Sequence, residues 1–254
     1  LFDPGSFQEY NIFMKHRCHD FGMEKINTPA EGVVTGYGLV NGRGVFAFAH
    51  DFTVLGGAMG EMQGMKVKRM QELALDAGLP FVGLNDSGGA RIQEGPSTSY
   101  GNIFYNNVMA SGVIPQISAI MGPCAGGTVY SPALTDFILS VNGTSRSFIT
   151  GPAVIKNVTG EIVDAETLGG AKTHNTLSGV SHFFCQDDAD CIYKIKRLLS
   201  FFPANCRELP PVYACNDDPN RRCERLNTLV PESLKKAYNI KDCLLYTSPS
   251  PRDM

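Results

Sequence analysis

Twice between Leu79 and Ser140 an almost wholly apolar run stops at a pair of glycines and gives way to a helix-like segment. The copies are PFVGLNDSGGAR, Pro80 to Arg91, and PQISAIMGPCAGGTVYSPALTD, Pro115 to Asp136. A short run with no polar face is the pattern of a strand buried on both sides. Each glycine pair therefore falls where a strand hands over to a helix, and backbone N–H groups stay free at the helix start. Such a turn holds developing negative charge without any side chain. The pattern points to oxyanion chemistry rather than to a reactive nucleophile.

The flanking sequence extends this frame. GVVTGYGLV and GVFAFAHD, joined by Asn41-Gly42, read as a β-hairpin. Residues 59–77 read as a helix with Met59, Met62, Met70, Leu73 and Ala77 on one stripe, closed by Gly78 and then Pro80. FVGLN and PQISAIM are buried strands; TSYGNIFYNNVMASG, ending at Gly112, and Gly127 to Leu134 are helices; DFILSV is a further strand. This alternation predicts right-handed crossovers and a parallel sheet, but does not separate an open sheet from a spiral. Residues 187–202 form a last amphipathic helix through Ile192, Ile195, Leu198 and Leu199. From about residue 204 the chain turns polar and proline-rich, as a linker does. Residues 243–254 read as a non-native tail and are set aside. Residues 1–30 are mixed; their cations Lys15, His16, Arg17 and His19 read as a solvated face.

Bulk properties exclude several classes. The 254 residues, 43% of them hydrophobic, bury a substantial core in one large domain or two small ones. A net charge of −3 gives no basic field for nucleic acid. No apolar run reaches the roughly 18 residues of a membrane span, and LFDPGSF has neither the basic region nor the apolar stretch of a signal peptide. A start without Met reads as a truncated or processed N-terminus. The eight cysteines form no C-x-x-C pair, and reduced thiols are the expected state. Cys124, inside the second turn, reads as a small packing residue rather than a nucleophile.

Longer motifs carry a resemblance. NDSGGARIQEG (85–95), SGVIPQIS (111–118), GPCAGGTVYSPALTDF (122–137), TGPAVIKNVTGE (150–161), LGGAKTH (168–174) and SGVSHF (178–183) occur in one order. In these the chain resembles the β-type carboxyltransferase subunit of biotin-dependent acyl-CoA carboxylases, of the propionyl-CoA carboxylase and methylmalonyl-CoA decarboxylase type, over residues 1 to about 242. The resemblance implies an α/β, crotonase-like spiral of ββα units. It further implies that residues 1–242 form a single N-terminal carboxyltransferase domain that binds the acyl-CoA, with the site completed by the second domain of a partner subunit. It implies biotin carried on another chain or domain, a biotin carboxyl carrier and biotin carboxylase subunit as partners, and a hexamer. The implied compartment is bacterial cytoplasm or mitochondrial matrix, with no direct membrane insertion.

The implied chemistry is formation of an enolate at the acyl α-carbon, so that the thioester oxygen becomes an anion. By resemblance Gly126 and Gly127 supply its two N–H donors, and paired glycines before a helix suit that task physically. Gly88, Gly89, Ala90 and Arg91 are expected at the CoA or acyl pocket. Close packing is an equal reading for the glycines, and an ion pair with Glu94 or Asp86 is a slightly favoured one for Arg91. His174 and His182 are isolated and read as core or hydrogen-bonding histidines. Two departures from the family pattern stand out. The loop at Pro96-Ser97-Thr98-Ser99 is shorter, which bears on acyl preference, and Thr128 replaces a smaller residue, with little effect expected.

Other readings fail or stay open. Gly122 to Gly127 fits G-x-x-x-x-G, but Thr128 and Val129 stand where a phosphate-binding loop needs Lys and Ser/Thr. Gly36-Tyr37-Gly38 lies in a hairpin, not before a helix, so it is no dinucleotide fingerprint. Met65-Lys66-Val67 resembles a biotinyl-lysine site, but Lys66 falls on a helix rather than in a β-turn. A stand-alone crotonase-like hydratase would need a paired carboxylate base near the turns, and none stands out. Carboxylation of propionyl-CoA is the first expectation. A decarboxylase subunit of a sodium pump and a CoA-ester-binding fragment without activity of its own are the alternatives.

Overall fold

The computed structural model describes residues 1–94, 99–214, 218, 220–233 and 235–242. Its first unit, Leu1–Pro211, is built on one eight-stranded sheet. The strands are β1 (Gln8–Glu9), β2 (Val33–Val40), β3 (Arg43–His50), β4 (Phe81–Ser87), β5 (Gln116–Ala125), β6 (Phe137–Val141), β7 (Arg146–Phe148) and β8 (Phe183–Cys185). β1, β2 and β3 pair antiparallel; β3, β4, β5, β6 and β8 then follow in parallel. The Asn41-Gly42 turn closes the β2–β3 hairpin as its sequence predicts, and Asp3 accepts both turn N–H groups at 3.0 and 2.8 Å.

Alternation along the strands supplies both faces of the sheet. Phe46, Phe48 and Phe81 enter a core with Val67, Met70 and Ala74 of α1 (Glu61–Ala77) and Ile103 and Ala110 of α2 (Ser99–Ala110). Val45, Ala47 and Val82, each one residue out of step, enter a second core with Ile117, Leu139 and Cys191 and Ile195 of the later helix at Asp188–Leu199. Helices thus cover both faces, as parallel strands require. α1 stops where Gly78 turns left-handed and its N–H reaches back to Ala74 and Leu75.

β5 runs past the PQISAIM expected of it, through Gly122 and Pro123 to Ala125. β6 pairs with its first half and β7 with its last three residues. The extension rests on β7, a three-residue strand whose sequence, Arg-Ser-Phe, carries no periodic signal. α3 (Gly127–Ala133) follows at once. Beyond β7 come α4 (Pro152–Thr159), α5 (Ala165–Gly169), α6 (Ala171–Thr176) and α7 (Asp188–Leu199), the last capped by the Asp187 side chain.

Two expectations need correction. The first glycine pair does not open an α-helix: Gly88-Gly89 leads into a short 3-10 turn at Ile92–Glu94, and α2 begins only at Ser99. The chain also does not leave the first unit at residue 204. Asn205 donates to Gly78 O at 2.9 Å and the Cys206 N–H to Val113 O at 2.9 Å, so the division falls after Pro211. The second unit, Val212–Met254, holds the short helix α8 (Leu226–Leu229), and its described residues 240–242 are helical as well. The presumed tail at 243–254 and all but Ser99 of the altered 96–99 loop lie outside the described residues. Among the described residues no helix is long and apolar enough to cross a membrane.

Candidate active site

Both glycine turns lie at the C-terminal ends of neighbouring parallel strands, the edge where open α/β sheets expose backbone donors. In the second turn Gly126 adopts φ 58° and ψ −122°, a conformation that side chains resist. Its carbonyl accepts the Val129 and Tyr130 N–H groups, at 2.9 and 3.2 Å. Its N–H donates to Phe148 O at 3.2 Å. The next two N–H groups, of Gly127 and Thr128, have no acceptor among the described residues. The sequence points to Gly126 and Gly127 as the open pair; β7 claims the first of these, and the open pair sits one residue further on.

α3 has only seven residues and contains Pro132. Little macrodipole stands behind the turn, so the open N–H groups themselves carry its attraction for an anion. Gly127 meets a further demand. A Cβ there would lie 2.5 Å from the ring of Tyr100 on α2. That ring stacks on Phe104, which in turn packs against Tyr130 of α3, with centroids 5.8 and 6.3 Å apart. The Tyr100 hydroxyl is shielded from solvent, and burial pushes its proton affinity up. Cys124 is fully buried beneath the turn, and burial pushes its thiol up to about 12. A thiol so rarely ionised is a packing residue.

The first turn is more fully bonded. The Gly88 N–H donates to Gly56 O at 2.9 Å and the Gly89 N–H to Ser87 Oγ at 3.3 Å. Gly89 O and the Arg91 N–H clasp Met59 from either side, at 2.8 and 2.9 Å. Ala90, bridged to Met59 and exposed, keeps an N–H without an acceptor among the described residues. Of Gly88, Gly89 and Ala90, only Ala90 offers a donor outward.

Arg91 points inward. Its side chain is 1% exposed and pairs through Nη1 with Glu31 and, at 2.7 Å, with Glu94, while Nη2 donates to Ala58 O at 3.0 Å. Glu94 also accepts the Glu61 N–H at 2.7 Å and so caps α1, and Thr28 donates to Glu31 at 2.7 Å. The ion-pair reading of Arg91 fits this geometry, with Glu94 and Glu31 rather than Asp86. A phosphate has no access to the guanidinium. Lys66 is equally enclosed, its Nζ donating to Ala30 O and Val33 O at 2.7 and 2.6 Å. Burial pulls its pKa down to about 8. An ammonium held this way does not fit the exposed turn lysine that carries biotin.

Both histidines hydrogen-bond, but neither is a core residue: His182 is exposed and His174 half-buried. His174 meets Ser147 O and Ser178 Oγ at 3.0 Å each, and His182 accepts the Ile138 N–H at 3.0 Å. A cavity of about 300 Å³ between Val113, Ile114, Asp136, Phe137, Phe202 and Cys206 lies at the opposite, N-terminal ends of β5 and β6. Tyr100, Thr128 and Phe148 shape the second turn and were not singled out as site residues by sequence. For Thr128 a signal existed: a hydroxyl just after a strand-ending glycine pair is placed to bond local backbone.

Residues 1–246 match the family described as carboxyl transferase domain. The chain is 57% identical to the methylmalonyl-CoA decarboxylase subunit alpha of Veillonella parvula, over 97% of this chain and 49% of that protein. It is 50% identical to the mitochondrial propionyl-CoA carboxylase beta chain of Homo sapiens, over 96% of this chain and 46% of that one. Among solved structures it is similar to a transcarboxylase 12S described as a hexamer assembly with methylmalonyl-coenzyme A and methylmalonic acid bound. That likeness has a TM-score of 0.88 and 50% identity over 96% of this chain and 48% of the other. The chain spans about half the length of the curated relatives it matches.

Proposed function

The chain belongs to the carboxyl transferase domain family, and from that premise we propose that it is the acyl-CoA-binding half of a carboxyltransferase acting at the α-carbon of a short acyl-CoA. The carrying observation is the pair of open N–H groups at Gly127 and Thr128, held by a turn whose other donors are spoken for. Abstraction or departure at the α-carbon puts negative charge on the thioester oxygen. Two donors fixed beforehand at that oxygen lower the barrier, and loss of one costs on the order of 10²–10³ in rate. Gly126 sets the turn, Tyr100 walls it, and Gly88 to Ala90 form the neighbouring turn, where the N–H of exposed Ala90 is the donor left for CoA. Arg91 acts beneath that turn, holding Glu31 and Glu94.

Biotin, carried on another chain or domain, supplies or accepts the carboxyl group. The partners this reading requires are a biotin carboxyl carrier or biotin carboxylase subunit, the second half of the carboxyltransferase, and further copies of the subunit in a hexamer. Bacterial and mitochondrial relatives both match, which supports bacterial cytoplasm or mitochondrial matrix as its compartment. Propionyl-CoA is the first acyl group to consider. A second reading, a decarboxylase subunit working on methylmalonyl-CoA, is favoured by the 57% identity to such subunits against 50% for the human carboxylase chain.

The test uses a subunit of the relatives' full length carrying this sequence. It is assayed for decarboxylation of malonyl-CoA and methylmalonyl-CoA with free biotin as acceptor. Turnover of methylmalonyl-CoA supports the reading and ranks the substrates. Tight binding of the CoA esters without turnover of either would contradict it and leave a binding module.

A further inference from the structure

We propose that Thr128 is a positioning residue whose hydroxyl clasps the two glycine turns together and so fixes the direction of the open N–H pair; this deepens, and rests on, the carboxyl-transfer reading above. Thr128 Oγ1 lies 3.0 Å from Ala125 N, 2.9 Å from Ala125 O and 3.2 Å from Ser87 O. A hydroxyl has one proton and two acceptor sites. It therefore accepts from the Ala125 N–H and donates to one of the two carbonyls, Ala125 O or Ser87 O. Ala125 is the last residue of β5 and Ser87 the last of β4, so the arrangement that accepts from Ala125 N–H and donates to Ser87 O ties the ends of both strands, and it is this arrangement that makes the clasp.

The clasp stands where the sheet cannot do this work. β4 and β5 pair in regular register up to Asn85 and Ile120, and the register shifts before Ser87 meets Cys124. The strand ends that carry the turns thus lack a regular ladder between them. Thr128 is 2% exposed, so its hydroxyl is not shared with bulk water. Its branched Cβ limits the side chain to few rotamers. The backbone N–H of the same residue is one of the two open donors, and a fixed side chain fixes its direction. Ser87 Oγ accepts the Gly89 N–H, which carries the link into the first turn.

Two substitutions in the full-length subunit test this. Thr128→Val keeps the shape and removes the hydroxyl; Thr128→Ser keeps the hydroxyl. With methylmalonyl-CoA and free biotin, Thr128→Val is expected to lower kcat by about 10- to 100-fold and to leave KM within about twofold. Thr128→Ser is expected to recover most of the lost kcat. Hydrogen exchange should quicken in Thr128→Val over residues 84–91 and 123–130 alone, and not in Thr128→Ser. A parental kcat in Thr128→Val, a loss confined to KM, or a Thr128→Ser as impaired as Thr128→Val overturns the proposal. If Thr128→Val does not fold, Thr128→Ser decides: kcat within about threefold of the parent supports the clasp, and a deeper loss overturns it. A parent that turns over no acyl-CoA overturns the carboxyl-transfer reading and this inference together, an outcome distinct from an active parent indifferent to Thr128→Val.

Discussion

The Gly126 N–H donates to the Phe148 carbonyl at 3.2 Å, which carries the pairing of β5 with β7 one residue beyond the end of β5. This bond decides which donors of the turn are left for a ligand. With Gly126 engaged, the chain must turn at a positive φ before α3 begins, and Gly127 and Thr128 become the first N–H groups without an acceptor among the described residues. Gly126→Ala should therefore act through backbone strain rather than through loss of a donor. No atom stands within 4 Å of the added methyl. The expected cost is about 1–3 kcal/mol of stability, read from urea unfolding, with no change in the number of open donors.

Gly127 is limited by contact instead. Its methyl would meet the Tyr100 ring, so Gly127→Ala should displace either the ring or the turn and lower kcat. The same substitution in a Tyr100→Ala background should cost less, because the obstructing ring is gone. A double-mutant cycle on kcat checks this: coupling of about 0.5–3 kcal/mol is expected, and simple additivity would place the two residues out of contact.

Arg91 distinguishes a structural ion pair from a phosphate ligand. Arg91→Met leaves the buried carboxylates of Glu31 and Glu94 without the cation they share. The expected loss is about 3–5 kcal/mol of folding stability, measured by denaturant unfolding. A variant of parental stability that binds CoA esters weakly would show instead that the guanidinium reaches the ligand.

His50 makes stability depend on acid. Its Nε2 is shielded from solvent and has no partner among the described residues, and burial pulls the ring's pKa from 6.5 down to about 4, against a smaller opposing pull from the Leu84 backbone. As pH falls through 6.5 the unfolded chain takes up the proton first, so stability is lost between pH 6.5 and 4 and not below. The loss from this group is at most about 3 kcal/mol. Urea midpoints across that range should fall in the parent and flatten in His50→Gln; equal slopes in both would contradict the assignment.

Much of the fold is legible in local pattern. The Asn41-Gly42 hairpin, the stripe and glycine stop of α1, the apolar run of β4 and the amphipathic α7 each carry their own signal, and each forms. What local pattern misses depends on distant partners. β7 is three residues long and exists because β5 offers it an edge. The same pairing moves the open donors from Gly126–Gly127 to Gly127–Thr128. Arg91 is a cation beside a glycine turn in sequence, and only the fold brings Glu31 to it. Thr128 stands out as a departure from the family pattern, yet its importance rests on Ser87 O, which the pairing of two strands delivers.

The most direct test of the donor pair is a crystal structure of the full-length subunit with methylmalonyl-CoA bound. The account predicts the thioester oxygen at about 2.7–3.1 Å from both Gly127 N and Thr128 N, with the Gly126 N–H still on Phe148 O. A thioester oxygen held by other groups, with those two N–H groups facing only water, would contradict it.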